Sequence, residues 1–460
     1  MSDVPTADDL QIGSRRAVVL VGNPAAPYSR AVRVARTLSG LGYIVEIAAV
    51  AAAGLPDREP GGGYEVRRYR ASGPWARLGG SIGREDGRVT VARNTVGSGG
   101  DTSIVRRVVR QTVWRAVGLL AAARRWVFWP HTVRGWWATL ERELEPADLY
   151  HACGSLTVAP ALFARRRAAK GPGGHRPTVV YDAIDDVFES NNVLDMPRPF
   201  RAWHARRETA WARSADVLLT VNDPLADRLG SRWGRRPIPV PNYPEPSGQA
   251  GPMDGPEGDL IRRQVALPPT TRIVLFQGRL GPRLGLDEAA EAVLAVPGAA
   301  FVLLGFGRGF DRASERDSEP RYVGRHFTLP AQPPDRLLAW TASADVALIP
   351  LPAISVNQRL SSPNKFWEAL SAGTPVVVPS GLTFMADLVR AHELGVVAAS
   401  GSAPDLAAAI STVLDVDPDV ARARRARIAS LARERFTWAV AAAPYLDAIE
   451  GLDGPRRRPG

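Results

Sequence analysis

The stretch S-S-P-N-K-F-W-E-A-L-S-A-G-T-P-V-V-V-P, residues 361–379, predicts a loop, a short helix, a tight turn and a buried strand. Ser362 is expected to cap the helix, because its side-chain oxygen can accept a backbone N–H bond, and Pro363 fits the first helical position. Gly373 is expected to end the helix, and the apolar run 376–378 follows as a strand. A helix that leads into a buried strand in this way is typical of α/β domains.

The predicted helix start has the chemistry of a phosphate site. A helix N-terminus offers unpaired backbone N–H groups and the positive end of the helix dipole. Lys365 adds a full charge, and Glu368 lies one turn further along the same face, where it can accept hydrogen bonds from sugar hydroxyls. The alternative is an ordinary capped helix with a solvated acid. Lys170 and Lys365 are the only lysines among 58 basic residues, which favours a function for Lys365.

Length and composition indicate a globular protein of two domains. The chain has 460 residues, 45% of them hydrophobic and 23% charged. The single cysteine, Cys153, excludes an internal disulfide and favours a reducing cytosol. The polar, acidic residues 1–10 predict that there is no signal peptide, and no apolar run approaches the roughly 20 residues that span a bilayer. We therefore expect a cytoplasmic protein that is soluble or peripheral on the inner face of the cell membrane.

The positive charge is concentrated in one segment. The net charge is +11, and no acidic residue occurs between Thr102 and Leu140. Apolar residues recur there at helical spacing, which predicts an amphipathic basic helix. The segment contains Arg106, Arg107, Arg110, Arg115, Arg124, Arg125 and Arg134, with Trp114, Trp126, Trp129, Trp136 and Trp137.

Two interpretations of residues 104–137 remain open. Tryptophan and arginine on an amphipathic helix suit the headgroup level of an anionic membrane. The same pattern fits a helix that packs its tryptophans into the first domain and leaves its arginines in water. Binding to DNA or RNA is not expected, because no nucleic-acid motif accompanies the charge.

Alternating strands and helices occur in both halves of the chain. A strand at 16–22, a helix at 30–39 and a strand at 43–50 form a βαβ unit, which predicts a parallel sheet. A Pro- and Gly-rich stretch at 238–258 marks a domain boundary. We expect an N-terminal domain at 1–245, a linker at 246–265, a C-terminal domain at 266–435, and a final segment at 436–460. That last segment would contain a helix that packs back toward the N-terminal domain, kinked or restarted at Pro444, and a basic tail. Further strands are predicted at 148–152, 178–182, 217–221, 272–277, 300–304 and 344–350.

Nearly the whole chain resembles glycosyltransferases of the GT-B fold, of the retaining family 4 or group 1 type. The resemblance is strongest in F-Q-G-R-L-G-P at 276–282 and in the Ser-Pro-Asn-Lys stretch at 362–378. It implies two doubly wound Rossmann-like domains that face a central cleft, with ligands at the carboxyl ends of the strands. Weaker matching strings lie at 28–43, 147–152, 179–183, 214–223 and 240–244.

The resemblance also implies roles for individual residues in binding a nucleotide diphosphate sugar. Arg279 would pair with the diphosphate, Glu368 would hold the ribose hydroxyls, and Arg283 would assist with the diphosphate. In the first domain, His151 would face the cleft. The remaining donor-binding residues would be Ser362, Asn364 and Lys365 at the helix start, Gly305 and Gly307 in a close-approach turn, and Gly22 and Asn23 near the transferred sugar.

The chain departs from the family pattern at several positions. Leu360 and Leu284 stand where relatives often have Glu and Lys, and Cys153 replaces a second histidine after His151. Where relatives often carry a His-Glu pair, this chain has Ile184 and Asp185. The catalytic work of those side chains would then fall to His151, Asp182 or Asp185.

The expected activity is metal-independent sugar transfer with retention, without a cofactor, to a glycan, a lipid-linked saccharide or a secondary metabolite. His151, Asp185, Arg279 and Lys365 are the expected catalytic residues, because positive side chains can neutralise the departing UDP or GDP. Two alternatives remain. One is a sugar epimerase of the same architecture. The other is a catalytically silent subunit that pairs with an active enzyme. For His151 itself, the alternative to a catalytic role is a core histidine that is hydrogen-bonded at a strand end.

Overall fold

The computed structural model describes residues 15–26, 28–72, 134–170, 174, 176–193, 196–245 and 258–453. The strands of the first half form one sheet, in the order β3-β4-β2-β1-β5-β6-β7-β8. Its central strands pair in parallel, whereas β3 and β4 form an antiparallel hairpin at one edge. These strands are β1 Arg16–Val21, β2 Ile44–Val50, β3 Arg58–Gly61, β4 Tyr64–Tyr69, β5 Leu149–Cys153, β6 Thr178–Ala183, β7 Val217–Thr220 and β8 Ile238–Pro239.

The first sheet is buried because its strands are almost wholly apolar. β1 runs as R-A-V-V-L-V and all but its first residue is buried, as expected for a parallel strand covered on both faces. Described helices of this half are α1 Ser29–Gly40, α2 Arg134–Glu143, α3 Val158–Ala169, α4 Arg198–Ser214 and α5 Asp223–Trp233.

The second sheet has six strands in the order β11-β10-β9-β12-β13-β14, and its pairs are parallel. Phe276, Phe301 and Leu303 lie in a buried core on one face of the sheet, and Leu275 and Val302 lie in a second buried core on the other face. The strands are β9 Arg272–Arg279, β10 Ala299–Phe306, β11 His326–Pro330, β12 Val346–Leu348, β13 Val376–Pro379 and β14 Gly395–Ala398. The helices are α6 Leu260–Gln264, α7 Leu286–Ala295, α8 Phe310–Asp317, α9 Pro334–Ala342, α10 Val356–Arg359, α11 Asn364–Ser371, α12 Thr383–His392, α13 Ala403–Leu414, α14 Pro418–Arg435 and α15 Trp438–Asp453.

By packing, the chain divides into two compact units. The first consists of residues 1–183 and 192–218, and the second of residues 184–191 and 219–460. The short loop 184–191, which follows β6, therefore packs with the second unit, and the boundary falls inside β7. These units differ from the predicted boundaries at 245 and 266, which remain sequence-based predictions.

Two local expectations are wrong. Ser362 does not cap helix α11: the helix begins at Asn364, Pro363 occupies the cap position, and no side-chain cap bond forms. Ser362 is instead buried beside Asn222. Helix α15 does not restart at Pro444, which lies inside one continuous helix from Trp438 to Asp453, and the alternative expectation of a kink there stays a prediction. Its first backbone N–H bonds to the carbonyl of Pro244, and the helix packs against β8.

Most of the basic, tryptophan-rich segment lies outside the described residues. Its last part forms α2, where Trp136 is fully buried and donates from Nε1 to the carbonyl of Ala49 at 2.9 Å. Trp137 donates to the carbonyl of Leu156 at 3.1 Å. These two tryptophans therefore pack onto the first sheet. Among the described residues, no helix has the length and apolarity needed to cross a bilayer.

Candidate functional site

The start of helix α11 is held in place by an asparagine from another element. Asn222 accepts a bond from the backbone N–H of Leu225 and so caps α5. Its Nδ2 donates to the carbonyl of Leu360 at 2.7 Å and lies 3.4 Å from Oγ of Ser362. The loop that leads into α11 is therefore fixed on both its backbone and a side chain. The first backbone N–H groups of α11 have no partners within the helix itself.

Lys365 lies on the first turn of α11 and reaches the end of strand β9. Its Nζ lies 3.6 Å from the centroid of the Phe276 ring, and a Cβ atom added to Gly278 would lie 3.5 Å from it. The residue is partly buried, and burial lowers the pKa of its ammonium group from 10.5 to about 7, against an opposing effect from the charge of Glu368. No ion pair of Lys365 is found among the described residues. A cation whose charge is so poorly compensated is suited to an anionic ligand.

Glu368 is oriented by a short hydrogen-bonded chain. The Gln277 Nε2 atom donates to Oε2 of Glu368 at 2.6 Å. Thr341, fully buried, donates from its hydroxyl to Oε1 of Gln277 at 2.6 Å, which fixes the orientation of that amide. Glu368 itself is partly exposed. Its position one turn after Lys365 allows the second carboxylate oxygen to accept a bond from a ligand hydroxyl.

Arg279 is exposed at the carboxyl end of β9, next to the turn that follows β10. The aliphatic part of Arg279 lies alongside Gly307, where a Cβ atom would come within 3.2 Å of its Cγ. Gly307 has a φ of +108°, and a Cβ atom on Gly305 would lie 2.3 Å from the carbonyl oxygen of Gly278. Only glycine fits at these two positions. The structure thus brings Arg279, Lys365, Glu368, Gly305 and Gly307 into one neighbourhood.

Arg283 faces a different space. It is exposed, has a φ of +61°, and lines a cavity of about 560 Å³ together with Arg308 and Arg312 of the α8 region. Arg279, Lys365 and Glu368 do not line this cavity. Leu284, at the position where relatives often have lysine, packs against the core below the sheet.

Gly22 and Asn23 follow strand β1 in the first unit. Asn23 Oδ1 accepts from the backbone N–H of Ala25 at 2.8 Å, and its carbonyl accepts from Val50. Ala25 has a φ of +55°, so this asparagine stabilises a strained turn. A Cβ atom on Gly22 would make only ordinary contact with Leu156, at 3.5 Å. The geometry shows a structural role for Asn23, and its contact with a donor sugar stays a prediction.

His151 lies in a sealed ionic cluster at the carboxyl ends of β5 and β6. Arg30, from α1, donates to both oxygens of Asp182 at 2.6 and 2.7 Å. The Nε2 atom of His151 lies 3.3 Å from Oδ2 of the same carboxylate. Burial by itself would raise the pKa of Asp182, but Arg30 and His151 together hold it well below its usual range. Arg30 is 2% exposed, and His151 and Asp182 are 0% exposed.

The burial of this cluster has a consequence for the predicted catalytic residues. His151 has no exposed surface in this structure, so its expected orientation into a cleft does not hold here. Cys153 is also buried, and burial raises the pKa of its thiol well above the usual value. The side chains of His151, Cys153 and Asp182 offer ligand atoms within 4.8 Å of one another, the spacing of a metal site. Arg30, however, already occupies both oxygens of Asp182, so these residues do not fit a metal ion.

Asp185 lies in the loop after β6 and, unlike His151 and Asp182, is exposed. Its Oδ1 accepts from Nδ2 of Asn357 at 2.9 Å. Burial of the carboxyl group raises its pKa, the bond from Asn357 lowers it, and the charge of Asp186 raises it, with a net rise.

Sequence reasoning missed several residues of this region. Gln277 has a visible signal, since it is a polar residue near the end of an otherwise apolar strand. Arg30 is a charged residue beside the inner face of α1, which is a second usable signal. Thr341, Asn222 and Asn357 come from distant parts of the chain, and no local pattern marks them.

Comparison with known proteins agrees with this geometry. Residues 271–416, which include β9 and α11, match the family model for glycosyl transferases group 1. The D-inositol 3-phosphate glycosyltransferase of Corynebacterium aurimucosum is 30% identical over 41% of this chain and 46% of its own length. The enzyme of the same name from Acidothermus cellulolyticus is 28% identical over 57% of each chain. The chain therefore spans about half the length of the curated relatives it matches.

Solved structures extend the likeness to nearly the whole chain. The Anabaena protein HepE in complex with UDP-glucose superposes with a TM-score of 0.61 at 14% identity, over 96% of this chain and 100% of that one. An α,α-trehalose-phosphate synthase from Burkholderia xenovorans in complex with glucose-6-phosphate superposes with a TM-score of 0.62 at 15% identity. The superposition covers 95% of this chain and 100% of that one. At sequence identities of 14% and 15%, this likeness is evidence for the fold. The sequence-based identification is thus confirmed: the chain has the GT-B glycosyltransferase fold, with two parallel-sheet α/β halves, and carries a group 1 glycosyltransferase domain at residues 271–416.

Proposed function

We propose that the protein is a glycosyltransferase that moves a sugar from a nucleotide diphosphate sugar to an acceptor, with retention and without a metal. The observation that carries the proposal is the poorly compensated Lys365 ammonium at the start of α11, one turn before Glu368 and beside the end of β9. Lys365, Asn364 and the helix dipole would bind the diphosphate, and Glu368 the ribose hydroxyls. Arg279 would approach the diphosphate from β9.

The proposed reaction depends on stabilising the departing diphosphate. The bond between the sugar carbon and the phosphate oxygen breaks, and its electron pair leaves with the diphosphate. The acceptor hydroxyl attacks the same face of the sugar and gives its proton to a departing phosphate oxygen. Lys365 and Arg279 would stabilise the negative charge that develops, the role that a metal ion fills in other transferases. Both side chains should therefore affect turnover more than binding of the ground state.

Asp185 is the acidic residue we assign to the sugar side of the site. Of the three residues that could replace the family's His-Glu pair, only Asp185 is exposed, while His151 and Asp182 are sealed against Arg30. A carboxylate with a raised pKa can accept a hydrogen bond from a sugar hydroxyl or stabilise positive charge on the sugar ring. This assignment narrows the catalytic proposal to Asp185, Arg279 and Lys365, with His151 and Asp182 stabilising the fold.

UDP sugars are the first donors to test, and GDP sugars the second. The solved neighbour from Anabaena binds UDP-glucose. The acceptor belongs to one of the classes expected from the sequence, a glycan, a lipid-linked saccharide or a secondary metabolite. Sugar and polyol phosphates join that screen, because the names of the relatives and the glucose-6-phosphate in one neighbour point to them.

The test combines ligand screening with two substitutions. Nucleotide sugars are screened by thermal shift, since a ligand at 100 times its dissociation constant stabilises a protein by about 2.7 kcal/mol. Lys365→Ala and Glu368→Ala should each abolish donor hydrolysis and transfer while the protein stays folded. Lys170→Ala is the matched control, because Lys170 is the other lysine and is exposed at the end of α3. Wild-type turnover in either site variant would remove the assigned donor site.

Calorimetry with UDP and GDP tests the silent-subunit alternative. A subunit with a decayed site should bind neither nucleotide, whereas the proposed enzyme should bind at least one. Activity that survives extensive treatment with EDTA is expected, and loss of activity that Mg²⁺ restores would overturn the metal-independent step. The anomeric configuration of the product, read by NMR, tests retention.

A further inference from the structure

Asn357, on the short helix α10, makes two hydrogen bonds with two consecutive residues. Its Oδ1 accepts from the backbone N–H of Asp186 at 2.8 Å. Its Nδ2 donates to Oδ1 of Asp185 at 2.9 Å. One side-chain amide therefore fixes both the backbone of the loop after β6 and the carboxylate that the loop presents. Asn357 is partly buried.

The neighbouring acid has its own partners, which leave Asn357 as the group that fixes Asp185. Asp186 is fully buried and accepts from Arg228 at 2.7 Å and from Arg232 at 2.8 Å, both on α5. Its charge is thus compensated by two arginines. Among the described residues, the groups that act on the Asp185 carboxylate are Asn357 and Asp186.

Helix α10 also leads directly into the loop of the donor site. It ends at Arg359, and Leu360 and Ser362 follow, the two residues that Asn222 contacts. The segment 355–362 is therefore attached at one end to the Asp185 loop and at the other to the start of α11. A change in either attachment should alter the position of Asp185 relative to Lys365.

We propose that Asn357 is a positioning residue that aims the Asp185 carboxylate at the reacting sugar and sets its distance from the donor-binding helix. The proposal rests on the glycosyltransferase function and on the role given to Asp185 above. An N–H group that donates to a carboxylate stabilises the ionised form and fixes the direction of its free lone pairs. Loss of that donor should raise the pKa of Asp185 and let the side chain rotate.

The first test measures the carboxylate directly and needs no substrate. In protein labelled with ¹³C at aspartate, the resonance of Asp185 is assigned by its loss in Asp185→Asn. Asn357→Ala should move its titration upward by about one pH unit, because a hydrogen bond to the charged form is removed. An unchanged titration in Asn357→Ala would overturn the proposal.

The second test separates positioning from structural support. Asn357→Asp keeps an oxygen that can accept from the Asp186 N–H, but it replaces the donor to Asp185 with a second carboxylate that repels it. Thermal melting of this variant shows whether the fold is kept. The proposal predicts that kcat falls about tenfold to a hundredfold with little change in donor KM. A reacting group that is misplaced by about 1 Å can lower the rate by that factor. The proposal also predicts that the acid limb of the pH profile moves to higher pH in Asn357→Ala. Arg359→Gln, exposed on the same helix, is the control and should behave as the wild type.

A swapped pair distinguishes the remaining outcomes. Asp185→Asn with Asn357→Asp can re-form the hydrogen bond in the opposite direction, with the carboxylate now on α10. The proposal expects this variant to recover thermal stability and nucleotide binding but not turnover. Recovery of turnover would overturn it. If the wild type binds no nucleotide sugar, the glycosyltransferase proposal fails on its own, and the titration experiment still decides whether Asn357 sets the pKa of Asp185.

Discussion

Two charged groups of the chain, Asp182 in the first unit and Lys365 in the second, differ in how their charges are compensated. In the first unit, Arg30, Asp182 and His151 are sealed from solvent, and every charge has a close partner. In the second unit, Lys365 is a partly buried residue whose ammonium group rests against an aromatic ring, and burial lowers its pKa to about 7. A compensated, closed cluster stabilises a fold. A poorly compensated, open cation has an interaction free energy still to gain from a ligand.

The largest expected effect comes from opening the sealed cluster. Arg30→Met should lower the free energy of unfolding by about 3–5 kcal/mol, because it leaves the Asp182 carboxylate buried without its partner. Urea denaturation of the whole chain measures it. Arg36→Met, exposed on the same helix, is the control and should change stability little. Arg30→Met with Asp182→Asn should recover part of the loss, and wild-type stability in Arg30→Met alone would show that the cluster is not structural.

The same comparison predicts a pH dependence of stability from Asp182. Its pKa is held below the usual range in the folded protein. The stabilisation is therefore fully present above the usual carboxyl pKa, near about 4, and is lost as the pH falls below it. Arg30→Met should be less sensitive to acid than the wild type, because its Asp182 has no depressed pKa to lose. Unfolding midpoints between pH 3 and 7 check this.

Ligand affinity at the open site should depend on pH with the opposite sign. Above a pKa of about 7 the Lys365 side chain of the free protein is mostly neutral, and an incoming diphosphate must draw a proton onto it. Affinity for a nucleotide sugar, whose diphosphate keeps its charge across this range, should fall by up to about tenfold per pH unit above 7. Calorimetry in buffers of different ionisation enthalpy should show proton uptake. Lys365→Arg should bind without uptake, since arginine stays charged; proton uptake in that variant would exclude Lys365 as its source.

In the absence of ligand, Lys365 should lower the free energy of unfolding. Its lowered pKa means that burial of the ammonium group is unfavourable below pH 7, and the cost is relieved as the pH rises toward 10.5. Lys365→Met should therefore raise the melting temperature at pH 6 by about 2 °C while losing nucleotide binding. Lys170→Met, at an exposed position, should do neither. A lower melting temperature in Lys365→Met would mean that the ammonium charge of Lys365 is already compensated in the free protein.

The smallest expected effect lies in the support of Glu368. Thr341→Val keeps the shape of the side chain but removes its bond to Gln277, a loss of about 1 kcal/mol or roughly fivefold in donor affinity. Thr412→Val is the comparison, because Thr412 is an exposed residue of α13 whose hydroxyl donates to the carbonyl of Ala408 in the same helix. Equal affinities in the two variants would indicate that Gln277 needs no support to orient Glu368.

The sequence patterns predicted the fold and one half of the site well. Apolar runs with helical segments between them located the central strands of both sheets, because period and composition are local properties. Five strands at or next to the sheet edges were not located: β3, β4, β8, β11 and β14. The group around Lys365 was also predictable, since Lys365 and Glu368 share one helix face and Arg279 ends a recognisable strand. Ser362 was misassigned as a cap because a serine before proline has the same local pattern whether its side chain caps a helix or contacts Asn222.

The rest depends on contacts between distant residues. His151 has the same sequence context whether it is exposed or sealed, and only the approach of Arg30 from α1 decides between the two. Asn357 and Asp185 are far apart in the chain, and neither has a local motif that announces the other. Tertiary contacts of this kind leave no mark in spacing or composition, so the acceptor-side chemistry could be predicted only as a choice among three residues.

The division of the chain within β7 has a practical consequence for work with separate halves. A recombinant fragment that begins at residue 246, the start of the predicted linker, would lack residues 184–191 and 219–245, which pack with the second unit. Without Asn222, no side-chain amide would donate to the carbonyl of Leu360. Without Asp185, Asn357 on α10 would lose the carboxylate to which it donates. Failure of such a truncated protein to bind nucleotide would therefore not test the site of the intact protein.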